Sequence, residues 1–114
     1  MTATFTTVAK VKSRLKKYQT TITDNEITEF IEQAEALVKA TMRGAFTATF
    51  VQTKHGIIER VTTDLAAFYL LTYDPSSFSS ITEVSVIADL LWTSIEDGMR
   101  LISDDRVVAY LNGL

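Results

Sequence analysis

Few residues in this chain have the types and spacing that chemistry demands. His55 is its sole histidine and there is no cysteine among 114 residues. That excludes a multi-histidine metal site, a disulfide framework, a thiolate nucleophile and zinc sites built on sulfur. His55 sits in Lys54-His55-Gly56, a turn-like tripeptide, and reads as an ordinary surface side chain. The carboxylate pairs Glu96–Asp97 and Asp104–Asp105 are of a type that suits magnesium or calcium. Adjacent residues on a helix do not share a face, however. Both pairs read as solvated faces or helix caps. Asp64 and Asp89 each fall one position from an apolar stripe, which favours a polar contact between helices. General acid–base work would need a partner that the sequence does not place. No Gly-x-Gly-x-x-Gly or Walker pattern is present. The expectation is a protein that is not an enzyme, with no cofactor and no metal site.

The elements that would position these residues are helical. Residues 7–18 place Val8, Val11 and Leu15 on one stripe extended by Tyr18, with Thr6 or Thr7 as cap. Lys10, Arg14 and Lys17 share another face. Three turns are marginal alone, so this helix must pack against something. Residues 24–41 form the best-defined helix. Thr23 and Glu26 make a capping box, with Ile22 and Ile27 as its hydrophobic staple. Ile27, Phe30, Ile31, Ala34, Leu37, Val38 and Thr41 form its apolar face, while Glu29, Glu32, Gln33 and Glu35 look outward. Gly44 is the terminator.

Residues 45–55 read equally as a short strand or as a loop that packs Phe46 and Phe50 on a helix or a neighbouring subunit. Residues 57–73 place Ile57, Ile58, Val61, Leu65, Phe68, Tyr69 and Thr72 at helical spacing. Ala66 and Ala67 permit close approach of another helix, and Leu70 and Leu71 make this helix apolar nearly all round, hence central. Asp74-Pro75-Ser76-Ser77 breaks it. Residues 81–102 form a fourth helix with Ser80 and Glu83 as a second capping box. Val84, Ile87, Leu90, Leu91, Ile95, Met99 and Ile102 are expected to face inward. Residues 104–112 suit a short last helix capped by Ser103 or Asp104. The sum is one all-α domain over 1–114: a small four-helix bundle-like domain with a short C-terminal helix or arm.

Charge and composition bound the function. Apolar residues make up 46% of the chain, too many for disorder. The N-terminus lacks a signal-peptide pattern, and no stretch reaches the length of a membrane span. The net charge is −3, unevenly placed: residues 1–20 hold Lys10, Lys12, Arg14, Lys16 and Lys17 and no acid, leaving −8 on the remainder. The acidic bulk argues against wrapping nucleic acid tightly. The five bases form a candidate contact surface for a protein partner or a phosphate backbone. A sequence-specific helix-turn-helix reading fails, because no later helix offers the Arg, Asn, Gln or Lys set that base edges require. A small nucleic-acid-associated or regulatory protein using the basic helix stands as the alternative reading. The apolar residues at both chain ends and in 45–51 exceed what one four-helix core needs, which points to an oligomer.

Three stretches carry a resemblance. They are Val8-Ala9-Lys10-Val11-Lys12-Ser13-Arg14-Leu15; Ile22-Thr23-Asp24-Asn25-Glu26-Ile27 with Phe30 to Val38; and Val61-Thr62-Thr63-Asp64-Leu65-Ala66-Ala67-Phe68-Tyr69-Leu70-Leu71. Together they resemble the head–tail connector, or adaptor, proteins of tailed double-stranded DNA phages. The resemblance implies a structural virion protein made in the host cytoplasm and placed at the head–tail junction. It implies a homo-oligomeric ring, typically of twelve copies, docked below the portal protein. Such a ring extends the DNA channel, lets double-stranded DNA pass without sequence-specific binding, and offers a surface to the next stopper or tail-completion protein. No membrane is involved. Under this reading Arg106, Val107, Val108, Tyr110 and Leu111, with Phe46 and Phe50, are candidate portal or subunit contacts. Lys10, Lys12, Arg14, Lys16 and Lys17 are candidate partner or channel contacts.

Overall fold

A computed structural model describes residues 5–15, 23–73 and 81–113, with the side chains of 81–84 left out. Five helices follow in chain order: α1 Val8–Arg14, α2 Asp24–Met42, α3 Gly56–Tyr73, α4 Ile81–Ile102 and α5 Asp105–Asn112. The all-α expectation holds. The expected staple residue Ile22, Lys16, Lys17, Tyr18, the Asp74–Ser77 breaker and Ser80 lie outside the described residues.

α3 is the central element, packed against α1, α2 and α4. Its buried residues run almost continuously from Val61 to Ala67, then Leu70 and Leu71. A helix apolar on nearly all sides can only be satisfied in the middle. α2 lays Ile27, Ile31, Ala34, Val38 and Met42 on it from one side. α4 brings Leu91, Ile95 and Ile102 from another. α3 and α4 pack tightly at Gly98, where a Cβ would run into the Val61 side chain.

Local chemistry sets the helix ends. The Thr23 hydroxyl accepts from the Glu26 amide at 3.2 Å, and the Glu26 carboxylate accepts from the Thr23 amide at 3.4 Å. That reciprocal box satisfies two amides that a helix start leaves without partners, and such caps stabilise by about 1 kcal/mol. α1 is shorter than its periodicity suggests. It ends at Arg14, because the Leu15 amide turns tightly onto the Lys12 carbonyl and Leu15 leaves the helical region. α2 closes through Arg43 rather than Gly44 alone. Arg43 takes the left-handed conformation at φ 53°, and Gly44 follows at φ 73°. That conformation costs a non-glycine residue about 1 kcal/mol. The Arg43 guanidinium is meanwhile bonded to the Ser103 carbonyl and the Asp105 carboxylate, so tertiary contacts hold it.

Residues 45–55 form no strand; among the described residues every regular element is a helix. The loop reading is the one found. The start of this loop has its backbone served instead by one side chain. The Asn112 amide nitrogen donates to the Ala45 carbonyl at 2.7 Å, and its oxygen accepts from the Thr47 and Ala48 amides. This clamp ties α5 to the loop.

α5 is capped by Asp104, whose carboxylate accepts from the Arg106 amide at 2.8 Å. The side chain of Arg106 also bonds it, which holds the Asp104 carboxyl below the ordinary carboxylate value. With the folded-state value depressed, the cap's ionic contribution is present above the unfolded-state value and is lost as pH falls through the folded one. Amide exchange in the first turn of α5 should therefore quicken on acidification, and Asp104→Asn, which keeps a capping oxygen, should remove that pH dependence. Equal acid sensitivity in the variant would refute this assignment.

Candidate interaction surfaces

The basic stripe is not a free surface. The Lys10 ammonium meets the Glu59 carboxylate at 2.7 Å, Lys12 meets Asp24 at 2.8 Å, and Arg14 Nε donates to Asp64 at 2.8 Å. α1 thus spends its described charges on α2 and α3 of its own chain. Lys16 and Lys17 lie outside the described residues.

Asp64 is buried and joins three helices, as its position beside an apolar stripe suggested. Besides Arg14 of α1 it accepts from the Ser94 hydroxyl of α4 at 2.6 Å. Ser94 in turn accepts from the Arg60 guanidinium at 3.1 Å. Two cations and a hydroxyl thus surround a carboxylate that would be costly to bury alone. Asp89 makes no such link; it is exposed on α4.

Glu35 is the opposite case. It is buried, where an outward position was expected. The Phe5 amide donates to it at 2.7 Å and Lys39 pairs with it at 3.1 Å. The incoming N-terminal segment covers that flank of α2, and its unpaired backbone amide needs a strong acceptor. Glu29, Glu32 and Gln33 are exposed as expected.

His55 also departs from expectation: it is only 1% exposed. Its Nδ1 accepts from the Val51 amide at 2.9 Å, and Nε2 lies 2.9 Å from the Leu111 carbonyl. Because an amide donates to Nδ1, the proton must sit on Nε2 and point at the carbonyl. The Phe46 ring meets the imidazole edge-on at 5.0 Å. A turn-like tripeptide hides this, because the carbonyl that completes the bridge comes from the other end of the chain.

The candidate contacts at the C-terminus divide. Val108 and Leu111 are buried in the domain's own core, and Val107 is half-buried. An amphipathic helix clamped to the 45–48 loop turns these residues inward. Tyr110 and Arg106 remain on the surface, with Tyr110 68% exposed and Arg106 paired to Asp104. Phe46 and Phe50 are half-buried within the chain. Phe50 lies against Phe5 at 4.9 Å, and both phenylalanines line a groove of about 330 Å³ with Lys39, Met42, Gly44 and Ala48.

Among the described residues, four large exposed apolar side chains lie on α4, where sequence reasoning turned Leu90 inward. Leu90 is 68% exposed, and Val86 and Leu101 line the same flank. Successive helical residues turn by about 100°, so Trp92, two residues on, lies on nearly the opposite flank. There it is 47% exposed, stacks on Phe68 at 5.3 Å, and lines a groove of about 320 Å³ with Leu37, Leu65, Ile95 and Met99. The signal was legible: α4 carries more apolar residues than one stripe can hold.

The carboxylate pairs hold cations of this chain. Asp97 pairs with Arg100, Asp104 with Arg106, and Asp105 with Arg43. Among the described residues, no three histidine or acidic side chains converge on one point. No helix, over the described residues, is long and apolar enough to cross a membrane. Comparisons of the chain with protein-family models, with curated proteins and with solved structures find no match.

Proposed function

We propose that this protein is a non-enzymatic assembly part, a ring-forming head–tail connector that docks on a portal and binds the next component of a phage neck. The observation that carries this reading is the pair of apolar patches on opposite flanks of α4. One is the Val86–Leu90–Leu101 row, and the other is the groove beside Leu37 and Trp92. A ring is built from heterologous contacts, in which each copy offers two different surfaces, one to each neighbour. Exposed apolar area of this kind marks association surfaces. Tyr110, projecting from α5, adds an aromatic anchor of the sort that dominates interfaces.

The nucleic-acid reading draws less support. It needs free cations, and Lys10, Lys12 and Arg14 are ion-paired within the chain. Mixing the purified chain with portal rings encoded in the same genome, followed by electron microscopy, tests the proposal. Ring-on-ring density is expected, and Leu90→Glu should abolish it while the monomer stays folded. Bare portal rings with the wild-type chain would sink the reading. Salt-sensitive binding to duplex DNA instead would favour the alternative.

A further inference from the structure

The N-terminal segment is held by buried apolar side chains and by polar seats on the body, and those polar seats stay satisfied without it. Among the described residues, 5–15 engage the body at five polar points. The Phe5 amide donates to Glu35, the Thr6 hydroxyl meets Thr63 at 2.6 Å, and Lys10, Lys12 and Arg14 pair with Glu59, Asp24 and Asp64. The buried seats each keep a second partner on the body. Glu35 keeps Lys39, one turn along α2. Asp64 keeps the Ser94 hydroxyl at 2.6 Å and Arg60 at 4.0 Å. Thr63 keeps its bond to the Glu59 carbonyl at 2.7 Å, which also makes Thr6 the donor in their shared bond. Lifting the segment therefore strands no buried carboxylate, the usual reason such a contact cannot open.

The segment itself is a poor helix. α1 has seven residues, below the length at which a helix holds its own shape in water. Its apolar hold is Phe5, Val11 and Leu15, buried in the core, with Val8 packed against them. Beneath it lies a seam of three acids: Glu59 and Asp64 pair with Lys10 and Arg14 of α1, and Glu35 takes the Phe5 amide.

We infer that residues 5–15 form a releasable strap, and that the Glu35–Glu59–Asp64 seam is a docking site for the strap of a second copy of this chain. The occupant seen here is the chain's own strap, which shows that the seat fits that sequence. Three of its contacts are ion pairs that salt screens, so its opening grows with ionic strength. This inference does not depend on the connector reading, since it concerns the isolated chain.

Two measurements test it. Amide exchange of the intact wild-type chain at low and high salt should show residues 8–14 opening separately from α2, α3 and α4. The strap amides should exchange at least tenfold faster than the slowest core amides, with the gap widening as salt rises. One common exchange rate for strap and core, unmoved by salt, would overturn the strap. The second measurement uses the full chain carrying Lys10→Glu and Arg14→Glu, whose strap is repelled by the seam. Its far-UV circular dichroism should stay helical, and it should bind a labelled peptide of residues 1–17 at least tenfold more tightly at 50 mM than at 300 mM salt. No binding by a folded variant, or equal binding of a peptide with those same charges reversed, would overturn the docking site. Global unfolding of the variant would overturn the claim that the body stands without its strap.

Discussion

Replacing His55 with alanine is expected to lower the stability of the domain by about 3–5 kcal/mol. Two costs combine. The imidazole spans from the Val51 amide to the Leu111 carbonyl, and its loss removes both hydrogen bonds. Each such hydrogen bond contributes about 0.5–1.5 kcal/mol net. The substitution also opens a cavity beside Phe46, whose ring packs on the imidazole edge. Domains of this size hold about 5–15 kcal/mol in all, so the variant should sit close to its unfolding threshold. Chemical denaturation measures the loss. His55→Phe separates the two costs, because it refills the volume and keeps the ring contact but restores neither hydrogen bond. It should recover part of the loss. A drop below about 1 kcal/mol for the alanine variant would show that the bridge between 51–55 and α5 is dispensable.

The second large effect is expected at Gly98. Alanine there improves helix propensity by about 1 kcal/mol, so an exposed site would be stabilised. Here the added methyl collides with the Val61 side chain. Val61 is buried and β-branched, with little rotamer freedom to yield. Overpacking of this kind costs about 1–3 kcal/mol. A net loss of about 2 kcal/mol is expected for Gly98→Ala, with α3 and α4 pushed apart. The Val61→Ala background supplies the control. With the opposing methyls gone, Gly98→Ala should become neutral or stabilising by up to about 1 kcal/mol. A double-mutant cycle measures that reversal, and additive effects would mean the two helices do not meet at this point.

The helices were legible in the sequence because their causes are local. The Thr23–Glu26 box, the 3–4 spacing of Ile27, Ile31, Ala34 and Val38, and the apolar density around Leu70 and Leu71 act within a few residues. Each places an element without knowing its neighbours. The ranges for α2, α3 and α4 follow accordingly. α1 is overextended by the same reasoning, since periodicity does not see where a backbone turns.

The surfaces were legible only in part. Lys10, Lys12 and Arg14 read as an outward basic stripe, yet their partners Glu59, Asp24 and Asp64 lie on other helices. Charge pairs between helices carry no local signature. Leu90 and Leu91 are adjacent and alike, and only the packing angle of α4 decides that Leu91 is buried and Leu90 exposed.

By itself the sequence determined an all-α fold, the capped start of α2 and a central third helix. Tertiary structure alone decided that His55 is a buried bridge, that Glu35 receives the N-terminal backbone, and that Val108 and Leu111 belong to the core. The physical reason is common to all three. Helix formation is governed by contacts three or four residues apart. Burial and pairing are governed by contacts across 30 residues or more, as between Phe5 and Glu35 or His55 and Leu111, and no spacing along the chain encodes those.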